Sequence, residues 1–153
     1  MIRWCFAALH LLALGIGLGA VIARGIALRG APARGALRAA FTADGFWGVA
    51  AVLWLATGVF RAFGGIEKGT SYYLHNAFFH AKIGLFVLIL FLEAGPMMTL
   101  IRWRVALRKG MEPDTRAAGR ISNVSFVEAA IVIAMVLLAT ALARGYGTIG
   151  GGS

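Results

Sequence analysis

Ten residues set chemically versatile side chains within or beside apolar sequence: His10, Arg24, Asp44, Arg61, His75, His80, Lys82, Glu93, Glu128 and Arg144. Ionisable groups are expensive in hydrocarbon, so each marks either a functional site or a paired structural contact. Depth along the apolar segments sorts them into two layers. His10, Arg61, Lys82 and Arg144, with His75 and His80 near them, lie toward one end, and Arg24, Asp44, Glu93 and Glu128 toward the other. The second set mixes both signs and reads as a structural polar layer. Helical side chains lean toward the N-terminus of their own helix, so Arg24 and Glu128, on helices of opposite direction, lean toward each other and can pair, with Glu93 or Asp44 joining them.

The first set is almost purely basic. Arg61, Lys82 and Arg144 surround His10, and the acidic residue on that side is Glu67 in a loop. Such a site suits an anionic or polarised guest: the propionates of a porphyrin, a lipid phosphate or a quinone carbonyl. The plain alternative is that these cations snorkel to the headgroups. Helical phase places His75, Lys82 and Glu93 on one stripe, since 7 and 11 residues separate them, and puts His80 roughly 140° away from His75. His10, Gly17 and Arg24 share a second stripe, where Ala13 and Ala20 leave room for a flat ligand or a close helix. The candidate cofactor-binding residues are therefore His10, His75, Lys82, Arg61 and Arg144, with His10 the candidate ligand to a haem iron and a hydrogen-bonded packing role its alternative.

Familiar catalytic signatures are absent from the sequence. It has no Cys/His metal set, nucleophile elbow or dinucleotide glycine motif, and Gly15-Ile16-Gly17-Leu18-Gly19 reads as close helix packing. Met97-Met98 is a poor soft-ligand pair for copper, and Cys5 cannot form an internal disulfide. No catalytic residue can be named on this basis.

The elements that must position these residues are membrane helices. Hydrophobic residues make up 60% of the 153, charged residues 14%, and the mean hydropathy is +0.83. Four stretches, 4–23, 45–63, 74–95 and 122–143, approach the roughly 20 residues needed to cross the hydrocarbon core. They predict a single all-α domain over 1–153, an antiparallel four-helix transmembrane bundle. Pro96 either stops the third span or lets it continue as an amphipathic interfacial extension, 97–109, and the spacing of Leu100, Trp103 and Leu107 favours continuation. The first span resembles a signal peptide, but its length, His10 within it and the arginines that follow argue for retention.

The formal charge of +9 does not point to nucleic acid, because the basic residues flank apolar spans. Loops one and three carry ten Lys and Arg, the opposite side only Arg3, Arg61, Lys68 and Arg144. The positive-inside rule then predicts a bacterial inner-membrane protein with loops one and three in the cytoplasm and both termini outside.

Trp4, Ala8-Leu9-His10-Leu11-Leu12, Ala23-Arg24, Asp44-Gly45, Ala56-Thr57-Gly58, the run from Lys68 through Tyr72-Tyr73-Leu74-His75-Asn76, Lys82, Arg102-Trp103-Arg104 and Ala143-Arg144-Gly145-Tyr146-Gly147 together resemble the uncharacterised bacterial membrane-protein family 2214. A fainter similarity links His10 and Lys82 to HemJ-type protoporphyrinogen oxidases and to CopD-like copper-resistance membrane proteins. It implies a four-helix architecture and a tetrapyrrole site holding haem b, with His10 and Lys82 in the roles of the first-helix histidine and third-helix lysine. The spacing from His10 to Arg24 departs from that pattern, so the resemblance does not carry a reaction with it.

Two readings stand side by side. One is a haem- or quinone-binding membrane protein with redox activity. The other is a non-enzymatic accessory or scaffold subunit of a homo-oligomer or larger complex, favoured by 21 glycines that permit close helix contacts. Small-solute or copper transport ranks below both, since four spans would need a dimer.

Overall fold

A computed structural model describes residues 1–30, 32–63 and 75–146, without the side chains of residues 2, 3 and 61–63. Among the described residues are four long helices, α1 (Ile2–Ala27), α2 (Arg34–Phe63), α3 (Ala77–Arg108) and α4 (Ala118–Ala143), with a 3₁₀ turn at Thr115–Ala117 before α4. All four are long and apolar enough to cross a membrane. The helices are as apolar outside as inside: Phe91 is 77% exposed whereas Arg24 is 0% exposed, the reverse of a soluble fold and what lipid as solvent requires.

The helices run further than their apolar stretches. Hydropathy places the span ends near Arg24, Asp44, Glu93 and Ser122, yet α2 begins ten residues before Asp44 and α3 continues through Pro96 to Arg108. Those polar residues satisfy one another inside the bundle, so they do not end the helices. Pro96 is buried within α3, and Thr99 Oγ1 donates to the carbonyl of Gly95 beside it. The continuation beyond Pro96 packs into the bundle on its apolar side: Leu100 and Trp103 are buried with Leu28, Leu37, Ala40, Ala118 and Ile121.

A second core fills the middle, built from Ala13, Val21, Trp47, Trp54, Ile89, Val132 and Met135. On every helix the charged layer lies between these two cores in sequence. Around the bundle, α1 packs on α2 and α4, α3 packs on α4, and α2 meets α3 least. The arginine-rich loops share one end, where Arg34 Nη2 donates to Glu112 Oε1 at 3.1 Å.

At the other end Asn76 joins two helices. Its side chain caps α3 by accepting from Phe78 N at 2.9 Å, and its Nδ2 donates to the carbonyl of Tyr146, just past α4, at 3.0 Å. Asn76 is fully buried. Asn76→Ala removes the cap and strands the Tyr146 carbonyl, so an unfolding midpoint in mild detergent should register a loss of about 1–3 kcal/mol.

Candidate ligand pocket and buried charge cluster

Arg24 reaches its place because α1 is stripped of bulk beside it. Gly25 lies against Phe126 and Ser125, where an added Cβ would come within 3.1 Å of the Phe126 ring. The close approach of α4 lets Ser122 Oγ donate to the carbonyl of Gly25 at 2.7 Å. The guanidinium then uses all five of its N–H donors. Nε donates to Ser125 Oγ (2.9 Å), Nη1 to Asp44 Oδ1 (3.0 Å) and Glu93 Oε1 (2.6 Å), and Nη2 to Glu93 Oε2 (2.8 Å) and Glu128 Oε2 (2.7 Å). Arg24, Asp44, Glu93 and Glu128, the predicted polar layer, thus form a single cluster with one residue from each helix.

Three contributors were missed by sequence reasoning. Arg104 donates to Asp44 Oδ2 at 3.0 Å and to the Phe41 carbonyl at 2.7 Å, Trp47 Nε1 donates to Glu93 Oε2 at 3.1 Å, and Ser125 takes Arg24 Nε. Ser125 could have been found, because Ser122, Ser125 and Glu128 recur every three residues along α4. Arg104 carried no such signal, being one of several arginines counted toward topology. Asp44 and Glu93 open on a cleft of about 250 Å³ between α2 and α3, where Gly48 and Ala51 supply little bulk.

The opposite half of the bundle holds a two-lobed cavity. His10 of α1, Trp54 and Gly58 of α2, Phe79 and Lys82 of α3, and Met135 of α4 line both lobes. The smaller lobe, about 90 Å³, opens between α2 and α3 past Leu55, Val59 and Ile83. The larger, about 270 Å³, extends along α1 and α4 past Leu14 and Ala139. Gly58 makes the space, since a Cβ there would stand 3.3 Å from His10 Cε1.

His10 is held by its Nδ1, 2.8 Å from Thr57 Oγ1. The one hydroxyl hydrogen of Thr57 has the Leu53 carbonyl as its shorter acceptor, at 2.6 Å, which leaves His10 Nδ1–H to donate to Thr57. Trp54 stands between the polar walls: its ring lies 5.7 Å from the His10 ring, and Lys82 Nζ is 5.9 Å from its centroid. The indole Nε1–H of Trp54 is buried with no acceptor among the described residues.

His10 and Lys82 share one cavity, and the other residues expected beside them do not line it among the described side chains. Arg144 follows α4 as its exposed cap, and His75 is exposed. Because α3 begins only at Ala77, the helical phase that put His75 on a stripe with Lys82 and Glu93 does not extend to it. Lys82 and Glu93 serve separate places, the cavity and the charge cluster. The side chain of Arg61 lies outside the described residues, and His80 is exposed with its ring edge-on to Phe79. The walls are mostly aromatic and aliphatic, with one imidazole and one ammonium. Trp54 and Phe86 were missed as site residues; Trp47 and Trp54, seven residues apart on one face of α2, were the available signal.

A family model described as predicted membrane protein (DUF2214) matches residues 2–147. The chain belongs to this family. No curated protein and no solved structure matches it. Several of the residues that carry the family resemblance collect in three places in the described structure: Arg24, Asp44 and Arg104 in the charge cluster, His10, Thr57, Gly58 and Lys82 at the cavity, and Asn76 with Tyr146 at the junction of α3 and α4.

Proposed function

We propose that this membrane protein binds a lipid-soluble ligand with an apolar body and a polarised or anionic oxygen, of the quinone class, in the cavity between His10 and Lys82. The observation that carries the reading is a single cavity wall that sets the His10 imidazole and the Lys82 ammonium among the rings of Trp54, Phe79 and Phe86. A hydrogen bond from a charged group to a ligand oxygen contributes about 1.5–3 kcal/mol. Entry between α2 and α3 suits a molecule arriving from the bilayer, and aromatic walls suit a flat ring.

A haem b fits these residues poorly. The two lobes, about 90 and 270 Å³, are small for a rigid four-ring macrocycle, whereas a single quinone ring needs far less space and its tail can lie out between α2 and α3. Neither Arg144 nor His75 lines the cavity to meet propionates. With Arg24 and Arg104 engaged in the charge cluster, eight basic residues remain at the arginine-rich end against four opposite. This balance supports a bacterial inner membrane with that end cytoplasmic and the cavity in the outer half.

Isothermal titration of the detergent-purified protein with decylubiquinone should show saturable binding. Lys82→Met and His10→Ala should each weaken it by about tenfold, equivalent to 1.4 kcal/mol of lost contact. A Soret band that responds to His10→Ala, or binding indifferent to both substitutions, would overturn the reading.

A second reading, an accessory subunit or homo-oligomer, has its own observation. A groove on the outer surface between α1 and α2 is lined by Gly19, Ala20 and Ala23 facing Ala39 and Ala43, and a Cβ at Gly19 would meet nothing within 4 Å. Small residues of this kind let another helix approach closely in lipid.

A further inference from the structure

The charge cluster has one acid too many. Arg24 and Arg104 supply two positive charges, whereas Asp44, Glu93 and Glu128 supply three negative ones if all are ionised. These groups come from all four helices, and Ser125 and Trp47 complete the shell as neutral partners. An uncompensated charge at this depth is strongly unfavourable.

Hydrogen bonding says which acid is in excess. Glu93 accepts from Arg24 Nη1, Arg24 Nη2 and Trp47 Nε1, and Asp44 accepts from both arginines. Glu128 accepts only from Arg24 Nη2, and its Oε1 is buried with no donor among the described residues. Glu93 Oε2 and Glu128 Oε2 both accept from Arg24 Nη2, which sets the two carboxyls side by side. Two carboxylates have no donor between them, so adjacent carboxyl pairs hold a proton in common.

We infer that the cluster is a proton-binding site in which Glu128 carries a proton toward Glu93, and that the proton exchanges through the α2–α3 cleft on which Glu93 and Asp44 open. One proton brings the five charged side chains to neutrality. Arg24 holds the Glu93 and Glu128 carboxyls on a single nitrogen, Nη2, at 2.8 and 2.7 Å, which keeps the two acids side by side. Asp44 and Glu93 are 13% and 16% exposed while Glu128 is 0% exposed, so Glu93 stands between the buried acid and the cleft. The inference is independent of any ligand in the cavity.

Infrared spectroscopy of the full-length protein in lipid nanodiscs tests it. At neutral pH the wild type should show the C=O stretch of a protonated carboxyl, shifted in D₂O and shifted again when glutamate alone is ¹³C-labelled. Glu128→Gln and Glu93→Gln should each abolish the band, and Glu112→Gln at the exposed loop should leave it intact. The absence of the band, its indifference to glutamate labelling, or its survival in Glu128→Gln would overturn the inference. A sodium ion in place of the proton would leave every carboxylate ionised and give the first of those results. Should either cluster variant fail to fold, the labelled wild-type spectrum still decides between a protonated glutamate and none.

Discussion

Arg24→Met should destabilise the bundle by at least about 3–5 kcal/mol, the usual cost of removing one partner from a buried ion pair. The effect should be this large because one guanidinium serves carboxylates from three other helices and a serine, and its loss leaves Asp44, Glu93 and Glu128 close together at low dielectric. Arg104 can answer only Asp44. Unfolding by SDS titration from a mild-detergent micelle would read the loss as an earlier midpoint or as failure to accumulate folded protein. Arg24→Lys should recover only part of it, since an ammonium has three donors where five are used and cannot form the fork that meets Glu93. Combining Arg24→Met with Glu93→Gln and Glu128→Gln should restore more than half of the lost stability, because the charges that remain, Asp44 and Arg104, still pair with each other. An unchanged midpoint in Arg24→Met would mean that the cluster does not hold the helices together.

The second large effect is expected at Gly58. A leucine there projects toward His10 Cε1, where even a Cβ would stand at 3.3 Å, and fills the wall common to both lobes of the cavity. Decylubiquinone binding should fall at least tenfold, with Gly58→Ala intermediate, while circular dichroism shows the same helix content. Glycine is a weak helix former, so both substitutions favour α2 locally and a loss of binding would not reflect a melted helix. Undiminished binding in Gly58→Leu would place the ligand elsewhere.

How far the sequence reveals these sites depends on the range of the physics. The pairing of Arg24 with Glu128 was legible because the lean of a helical side chain is a local property, known once helix direction is known. Recruitment of Asp44 and Glu93 to the same guanidinium was open, since it depends on the distance between helices. The helices outrun the apolar stretches for a related reason. A charge ends an apolar stretch in a hydropathy count, but Arg24, Asp44 and Glu93 neutralise one another, and the helices continue past them into a second core around Leu100 and Trp103.

At the cavity, local reasoning selected His10 and Lys82 but gathered Arg144 and His75 with them by depth alone. Depth does not fix azimuth. Arg144 falls beyond the last turn of α4 and His75 before the first turn of α3, and neither is bound to a helical face. What remains around His10 is Trp54, Phe79 and Met135, residues whose apolarity gave no sign that they would line a cavity rather than a core.

The amino-acid sequence by itself determined that this is a membrane protein of four apolar helices and that its polar residues lie in two layers, because hydropathy, helix length and side-chain direction act over a few residues at a time. Only the tertiary structure decided that four helices converge on Arg24, that Gly58 opens a space beside His10, and that the Trp54 ring stands in that space between His10 and Lys82. Those outcomes depend on how closely backbones from distant parts of the chain approach one another, a distance set by packing among all four helices.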